Sequence, residues 1–287
     1  MIAVIVSASR RTDIPAFYSE WFLRRVRAGF VKTRNPFRPS QERVVPLDPA
    51  SVDCLVFWTK DPLPLMAGLE ELERRGFCFY FQFTLTPYGP ALEPGLRPKA
   101  ALVETFQALS RRLGRERVRW RYDPILLGRA VDMDFHRRAF ERLCDRLADW
   151  TEGVTVSFVD LYSKRPDGRF RALTEAEMWA HAELIADIAG RYGLPVTACC
   201  EAMDLSPLGI GRAACVDGAL VERLSGRPVA AKPDKNQRPG CGCVQSVDIG
   251  AYDSCGNGCV YCYARHSAQL AARNRARHDP DGPFLLP

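Results

Sequence analysis

The chain has 287 residues, 47% apolar and 26% charged, with a formal net charge of +6. These proportions describe a globular protein with a substantial core and exclude a disordered, fibrous or membrane-embedded chain. The opening apolar run IAVIV is too short for a signal peptide, and no later stretch approaches a membrane span, so a cytoplasmic protein with no membrane partner is expected.

In chain order, strand-like runs fall at 2–9, 30–34, 53–59, 77–86, 117–123, 154–160, 194–200 and 243–250. Helical patterns lie between most of them, over 15–29, 99–114, 134–150 and 174–193, several ending at glycine as a C-cap requires. The last opens with Thr174 three residues before Glu177, a capping-box signature. Residues 35–52 read as a turn or hairpin, and 225–240, rich in Pro, Gly and Lys, as a surface loop or linker. Alternation of strand and helix predicts an α/β fold with a parallel sheet. About eight units in this length predict a TIM-like (β/α) barrel, one domain over 1–287 with a cysteine-rich C-terminal part over 225–287.

In such folds the site lies at the carboxyl ends of the strands, and here those ends are polar. Arg121, Asp123, Asp160 and Glu201 fall at expected strand ends and are candidates for the substrate side. Arg121 can hold an anionic group, and a carboxylate can orient a hydroxyl or amine or carry a proton. For each, an ion pair tying a strand to a loop is the equal alternative. Arg273, Arg275 and Arg277 near the end read as a solvated helix face, with nucleic-acid contact as the alternative.

Eleven cysteines in a chain without an export signal argue against a disulfide framework. Cys54, Cys78 and Cys144 sit among apolar residues and read as small buried hydrophobes. The other eight lie between Cys199 and Cys262, where metal binding is the leading explanation. Cys255, Cys259 and Cys262, in SCGNGCVYCYA, have C-x3-C-x2-C spacing and can give three thiolates to a [4Fe-4S] cluster. His266 lies close enough to offer a Cys3His zinc set instead. Cys199, Cys215, Cys241 and Cys243 can close a second site, either an auxiliary [4Fe-4S] cluster or zinc, with Cys200 expected on the opposite strand face. The alternative is that Cys200 and Cys215 are buried thiols and CGC is a turn.

The loop over 254–264 resembles the cluster loop of radical S-adenosylmethionine enzymes, with Tyr261 at the position that usually carries an aromatic residue. The whole chain resembles an uncharacterised bacterial family, a domain of unknown function noted for such a C-terminal cysteine cluster. That likeness rests on SASRRTDIPAFYSEWF, RNPF, VFWTKDP, YFQFTLTPYG, RYDPI, SFVDLY and CGCVQSVDIGAYDSCGNGCVYCYA. The resemblance implies a cluster whose fourth iron is open to S-adenosyl-L-methionine, an external electron donor and radical chemistry on a substrate that is not identified. In the radical enzymes the loop follows the first barrel strand, so its late position implies a circularly permuted barrel in which 243–250 is that strand. The N-terminal strand would then carry the cofactor contacts. Ser7, Ser9 and Asp13 would accept from the amine, and Arg10 or Arg11 would pair with the carboxylate; Thr12 or Asp13 can equally cap the next helix. No Gly-Gly-Glu motif is present there. The rival is a structural zinc or iron–sulfur protein without radical activity, binding nucleic acid through its basic C-terminal helix.

Overall fold

The computed structural model describes residues 4–161, 168–230, 232–238 and 240–287. The start of the first expected strand, at 2–3, and Tyr162 of SFVDLY lie outside these. The chain divides into two compact units. Unit 1 comprises Met1–Gln82, Val216–Asp234 and Val244–Pro287; unit 2 comprises Phe83–Cys215 and Lys235–Cys243.

The strands are β1 (Val4–Ser7), β2 (Phe30–Asn35), β3 (Arg38–Pro46), β4 (Val52–Thr59), β5 (Phe79–Thr84), β6 (Val118–Ile125), β7 (Val154–Phe158), β8 (Val196–Ala198), β9 (Gly211–Arg212) and β10 (Val247–Asp248). The helices are α1 (Ile14–Phe17), α2 (Ser19–Ala28), α3 (Leu63–Met66), α4 (Leu69–Arg74), α5 (Lys99–Leu113), α6 (Met133–Leu147), α7 (Glu175–Arg191), α8 (Gly218–Ser225) and α9 (Ala268–Ala276). Eight strands form one sheet in the order β10-β1-β4-β5-β6-β7-β8-β9. β1 pairs in parallel with both β10 and β4, and β7 pairs in parallel with β6 and β8. The pairing establishes a mixed α/β fold with a large parallel sheet.

The eight sheet strands are not the eight expected. FVKTR leaves the sheet and pairs antiparallel with β3, Phe30 opposite Pro46 and Val31 opposite Val45. Its place is taken by the two-residue β9. A strand buried on both faces reads as a continuous apolar run. DCLVFWT meets that condition, with all but one residue of β4 buried, whereas Lys32 and Arg34 do not. The expected helix over 15–29 is broken into α1 and α2 at Tyr18, and α2 stops at Gly29, whose φ of +78° suits glycine. α7 carries the full capping box, Thr174 Oγ accepting from the Glu177 amide and the Glu177 side chain accepting from the Thr174 amide.

The core of unit 1 is aromatic: Phe57 stacks on Phe81 at 5.0 Å and meets Phe22 edge-on at 5.3 Å. In unit 2, Trp120 stacks on Phe140 at 5.3 Å and donates its indole N–H to Leu85 O at 3.0 Å. Beside it, the fully buried His136 bonds to the Tyr122 hydroxyl at 2.7 Å and to Leu126 O at 2.9 Å. Burial lowers the His136 pKa from 6.5 to about 4. A histidine with a depressed folded pKa favours the fold above pH 6.5, and this contribution is lost as pH falls towards 4. Followed by NMR, the His136 ring should stay neutral through pH 6 and titrate near 4; a midpoint near 6.5 would mean that water reaches it.

Candidate metal and substrate sites

In unit 1, β10 ends at Asp248 and the chain runs directly into the three-cysteine loop. The register pairs Ser7 with Asp248, so the loop leaves the sheet beside the carboxyl end of β1. The Asp248 carboxylate gathers that end together. It accepts from Ser7 Oγ at 2.9 Å, Ser9 Oγ at 2.6 Å, and the amides of Arg10 at 2.8 Å and Gly250 at 2.9 Å. Arg11 Nε stands 4.0 Å from it. Gly250 permits the approach, since a Cβ there would lie 2.0 Å from Ser9 Oγ.

The loop itself is held by the N-terminal segment. Asp13 caps α1 by accepting from Ala16 N at 3.1 Å, and also accepts from Lys60 N at 2.7 Å and Asn257 Nδ2 at 2.9 Å. Burial raises its carboxyl to about 6 against these hydrogen bonds. The Tyr18 hydroxyl donates to Ser254 O at 2.6 Å. Gly258 has φ +70°, and a Cβ on Gly256 would lie 2.6 Å from the Phe17 ring and 2.5 Å from the Arg275 guanidinium. Cys259 is buried, and Cys255 and Cys262 are half-buried. Burial pushes the Cys255 thiol up, as do the charges of Asp13, Cys262 and Cys259. Tyr261 is buried under the Lys60 ammonium at 5.7 Å. The Arg10 guanidinium lies over Trp58 at 4.7 Å, and Arg11 lies over Tyr252 at 5.5 Å.

His266 is tied to Asp253: its amide and its Nδ1 bond to the carboxylate at 2.5 and 2.6 Å. Arg275 of the basic C-terminal helix stacks over Phe17 at 4.8 Å.

Unit 2 brings the four substrate-side candidates together with the other thiols. Arg121, 5% exposed, forms an ion pair with Asp123 and donates to Cys215 Sγ at 2.6 Å. Asp123 also accepts from Ser157 Oγ at 2.5 Å. Glu201 accepts from Phe158 N at 3.0 Å, and burial raises its carboxyl to about 7, helped by the charges of Asp160 and Asp123. Asp160 is exposed and paired with Arg238.

Cys199 Sγ and Cys215 Sγ are 3.6 Å apart. Each further thiol shifts the titration of the next, from Cys215 to Cys243, from Cys243 to Cys241, from Cys241 to Cys200 and from Cys200 back to Cys199. Five thiols thus form a ring. Cys200 joins it, although strand alternation placed it on the opposite face: β8 ends at Ala198, and φ +57° at Cys200 turns the chain. Hydrogen bonds from Cys200 and Cys215, with the Arg121 charge, push the Cys199 thiol down. Among the described residues no three His, Cys, Asp or Glu side chains form a preformed metal site. Cys54 and Cys78, expected only as core residues, lie 3.6 Å apart.

Sequence reasoning missed Asp248, Asn257, Ser157 and Tyr18. Asp248 was visible as a charge at the end of a strand, the criterion that selected Asp123 and Asp160. Asn257 lay inside the cysteine loop. Nothing local marked Ser157 or Tyr18.

Among the described residues no helix is long and apolar enough to cross a membrane. No curated protein matches the sequence significantly. A solved structure from Bacteroides thetaiotaomicron VPI-5482, named as a candidate α-L-fucosidase, aligns over 79% of this chain and 82% of its own at 11% identity. Its TM-score of 0.30 is too low to carry an argument about fold or activity. The family described as a domain of unknown function, DUF1848, matches residues 5–264. The chain, matched over nearly its whole length, belongs to that family.

Proposed function

We propose that the chain is an iron–sulfur enzyme of the radical S-adenosylmethionine type, with Cys255, Cys259 and Cys262 as ligands of a [4Fe-4S] cluster. One observation carries this reading: β10 pairs in parallel beside β1, Val6 opposite Val247, and the three-cysteine loop follows β10 immediately. The loop therefore comes after the strand that precedes β1 in the sheet, although it comes last in the chain. A barrel permuted at that point belongs to the same proposal.

The donor set suits an open cluster. Three thiols lie within one glycine-bent loop, the number that leaves one iron of a four-iron cluster open. When bound, such a cluster supplies the electron that cleaves S-adenosylmethionine reductively and starts radical chemistry on a substrate. The residues of this chain hold and orient. Asp13 and Tyr18 fix the loop through Asn257 and Ser254. Arg10 and Arg11 put cations beside it for a carboxylate. Ser7 and Ser9 give their protons to Asp248; Ser9 also accepts from the Arg11 amide at 3.0 Å and keeps one lone pair for an amine. In unit 2, Glu201, with a pKa of about 7, is poised to exchange a proton near neutrality. The enzyme needs an external electron donor.

One observation favours the zinc rival: a carboxylate on His Nδ1, as Asp253 supplies, is the usual partner of a histidine that ligates through Nε2. Metal analysis after anaerobic purification separates the two readings. The radical reading requires iron and acid-labile sulfide, both lost from the loop site in Cys255→Ala, Cys259→Ala and Cys262→Ala, with His266→Ala retaining them. Zinc at the loop, lost in His266→Ala, would overturn it.

A further inference from the structure

We infer that the five-thiol ring of unit 2 is a second metal site, in which Cys199, Cys215, Cys241 and Cys243 hold one thiophilic divalent ion of the zinc class. This goes beyond the radical reading and stands without it.

Four observations converge. First, the thiols come from three separate segments: the end of β8, the stretch after β9 and the 241–243 turn. Only short strands support them, three residues in β8 and two in β9, and 235–238 and 240–243 carry no regular element. A shared ion would tie the three segments together beyond these short ladders.

Second, the approach is built into the backbone. Gly242 separates Cys241 from Cys243, and a Cβ there would lie 2.9 Å from Ala213 O and 3.4 Å from the Ala214 Cβ. Only glycine lets the turn come this close to the segment carrying Cys215.

Third, the spacing is that of one ion. Thiolates bound at about 2.3 Å to a tetrahedral zinc stand about 3.8 Å apart along each edge. The Cys199–Cys215 separation of 3.6 Å matches this. A four-iron cluster puts each thiolate on a different iron and would hold the sulfurs farther apart.

Fourth, the charge is prepared. Four thiolates around a divalent ion carry a net negative charge, and the buried Arg121 donates directly to Cys215 Sγ. Such hydrogen bonds to a ligand sulfur orient it and moderate its charge. Cys200, the fifth thiol, is left outside the ligand set. With every position filled by protein, the ion acts structurally, pinning the carboxyl end of β8 where Glu201 begins its loop.

The test uses the full-length chain carrying Cys255→Ser, Cys259→Ser and Cys262→Ser, which removes the loop site and leaves the ring. Titrated with Co²⁺ after metal removal, this variant should bind one equivalent and show the absorption of a tetrahedral thiolate complex. Zn²⁺ should displace it. Adding Cys215→Ser or Cys243→Ser should abolish the absorption, whereas adding Cys200→Ser should preserve it. The inference is overturned if no thiolate absorption appears, if it survives Cys215→Ser, or if the purified triple variant carries iron and sulfide. Should the triple variant fail to fold, native mass spectrometry of the wild-type chain decides. A zinc content that falls by one per chain in Cys215→Ser supports the site; no zinc in the wild type, or no such fall, overturns it. None of these outcomes depends on whether the loop binds a cluster.

Discussion

Asp248→Ala should destabilise unit 1 by about 3–5 kcal/mol, read as a lowered urea midpoint. The carboxylate is the common acceptor for two serine hydroxyls and two backbone amides at the carboxyl ends of β1 and β10. Its side chain is only 9% exposed, so water cannot replace it at most of these donors. Ser7 is itself fully buried and Ser9 nearly so. Each stranded donor costs about 1–3 kcal/mol when partly desolvated, and the variant strands several. The loss should reach the chemistry as well, because Asp248 ends the strand from which the cysteine loop departs. Iron bound at the loop should fall with stability. A loss below about 1 kcal/mol with full iron would show that Asp248 does not organise this end of the sheet.

Arg121→Met should cost unit 2 a comparable amount, about 3–5 kcal/mol, because it breaks a buried ion pair from one side only. Asp123 would keep Ser157 as its hydrogen-bond donor and lose its cation. Cys215 would lose its guanidinium donor. A second readout separates this from a packing defect. Arg121 helps hold the Cys199 thiol down, so in metal-stripped protein Cys199 should alkylate more slowly near neutral pH in the variant. Arg121→Lys should restore that rate in part, since it returns the charge without the planar fork that reaches Cys215 and Asp123 together. Unchanged alkylation of Cys199 would sever the arginine from the thiol ring.

What the sequence revealed follows from which forces are local. The helices over 99–113, 133–147 and 175–191 were legible because amphipathic spacing, caps and terminal glycines all lie within the segment. FVKTR looked like a sheet strand because strand propensity says nothing about partner choice; the burial demanded of a parallel strand decided against it. β9 was invisible because two residues carry no period. The loop cysteines stood out by spacing alone. Their anchors did not, because Asp13 lies 244 residues from Asn257 and Tyr18 lies 236 from Ser254, and only the fold joins them. The thiol ring was half legible. Four members could be named from their crowding, but Cys200 needed a left-handed backbone turn that no strand pattern foretells.

The most direct measurement of the central claim starts from anaerobically purified protein, reduced and examined by electron paramagnetic resonance with and without S-adenosylmethionine. The account predicts a four-iron signal that the cofactor perturbs, together with 5′-deoxyadenosine in the products, both abolished by Cys259→Ala. A loop filled by zinc, or a four-iron signal indifferent to S-adenosylmethionine with no 5′-deoxyadenosine formed, would contradict it.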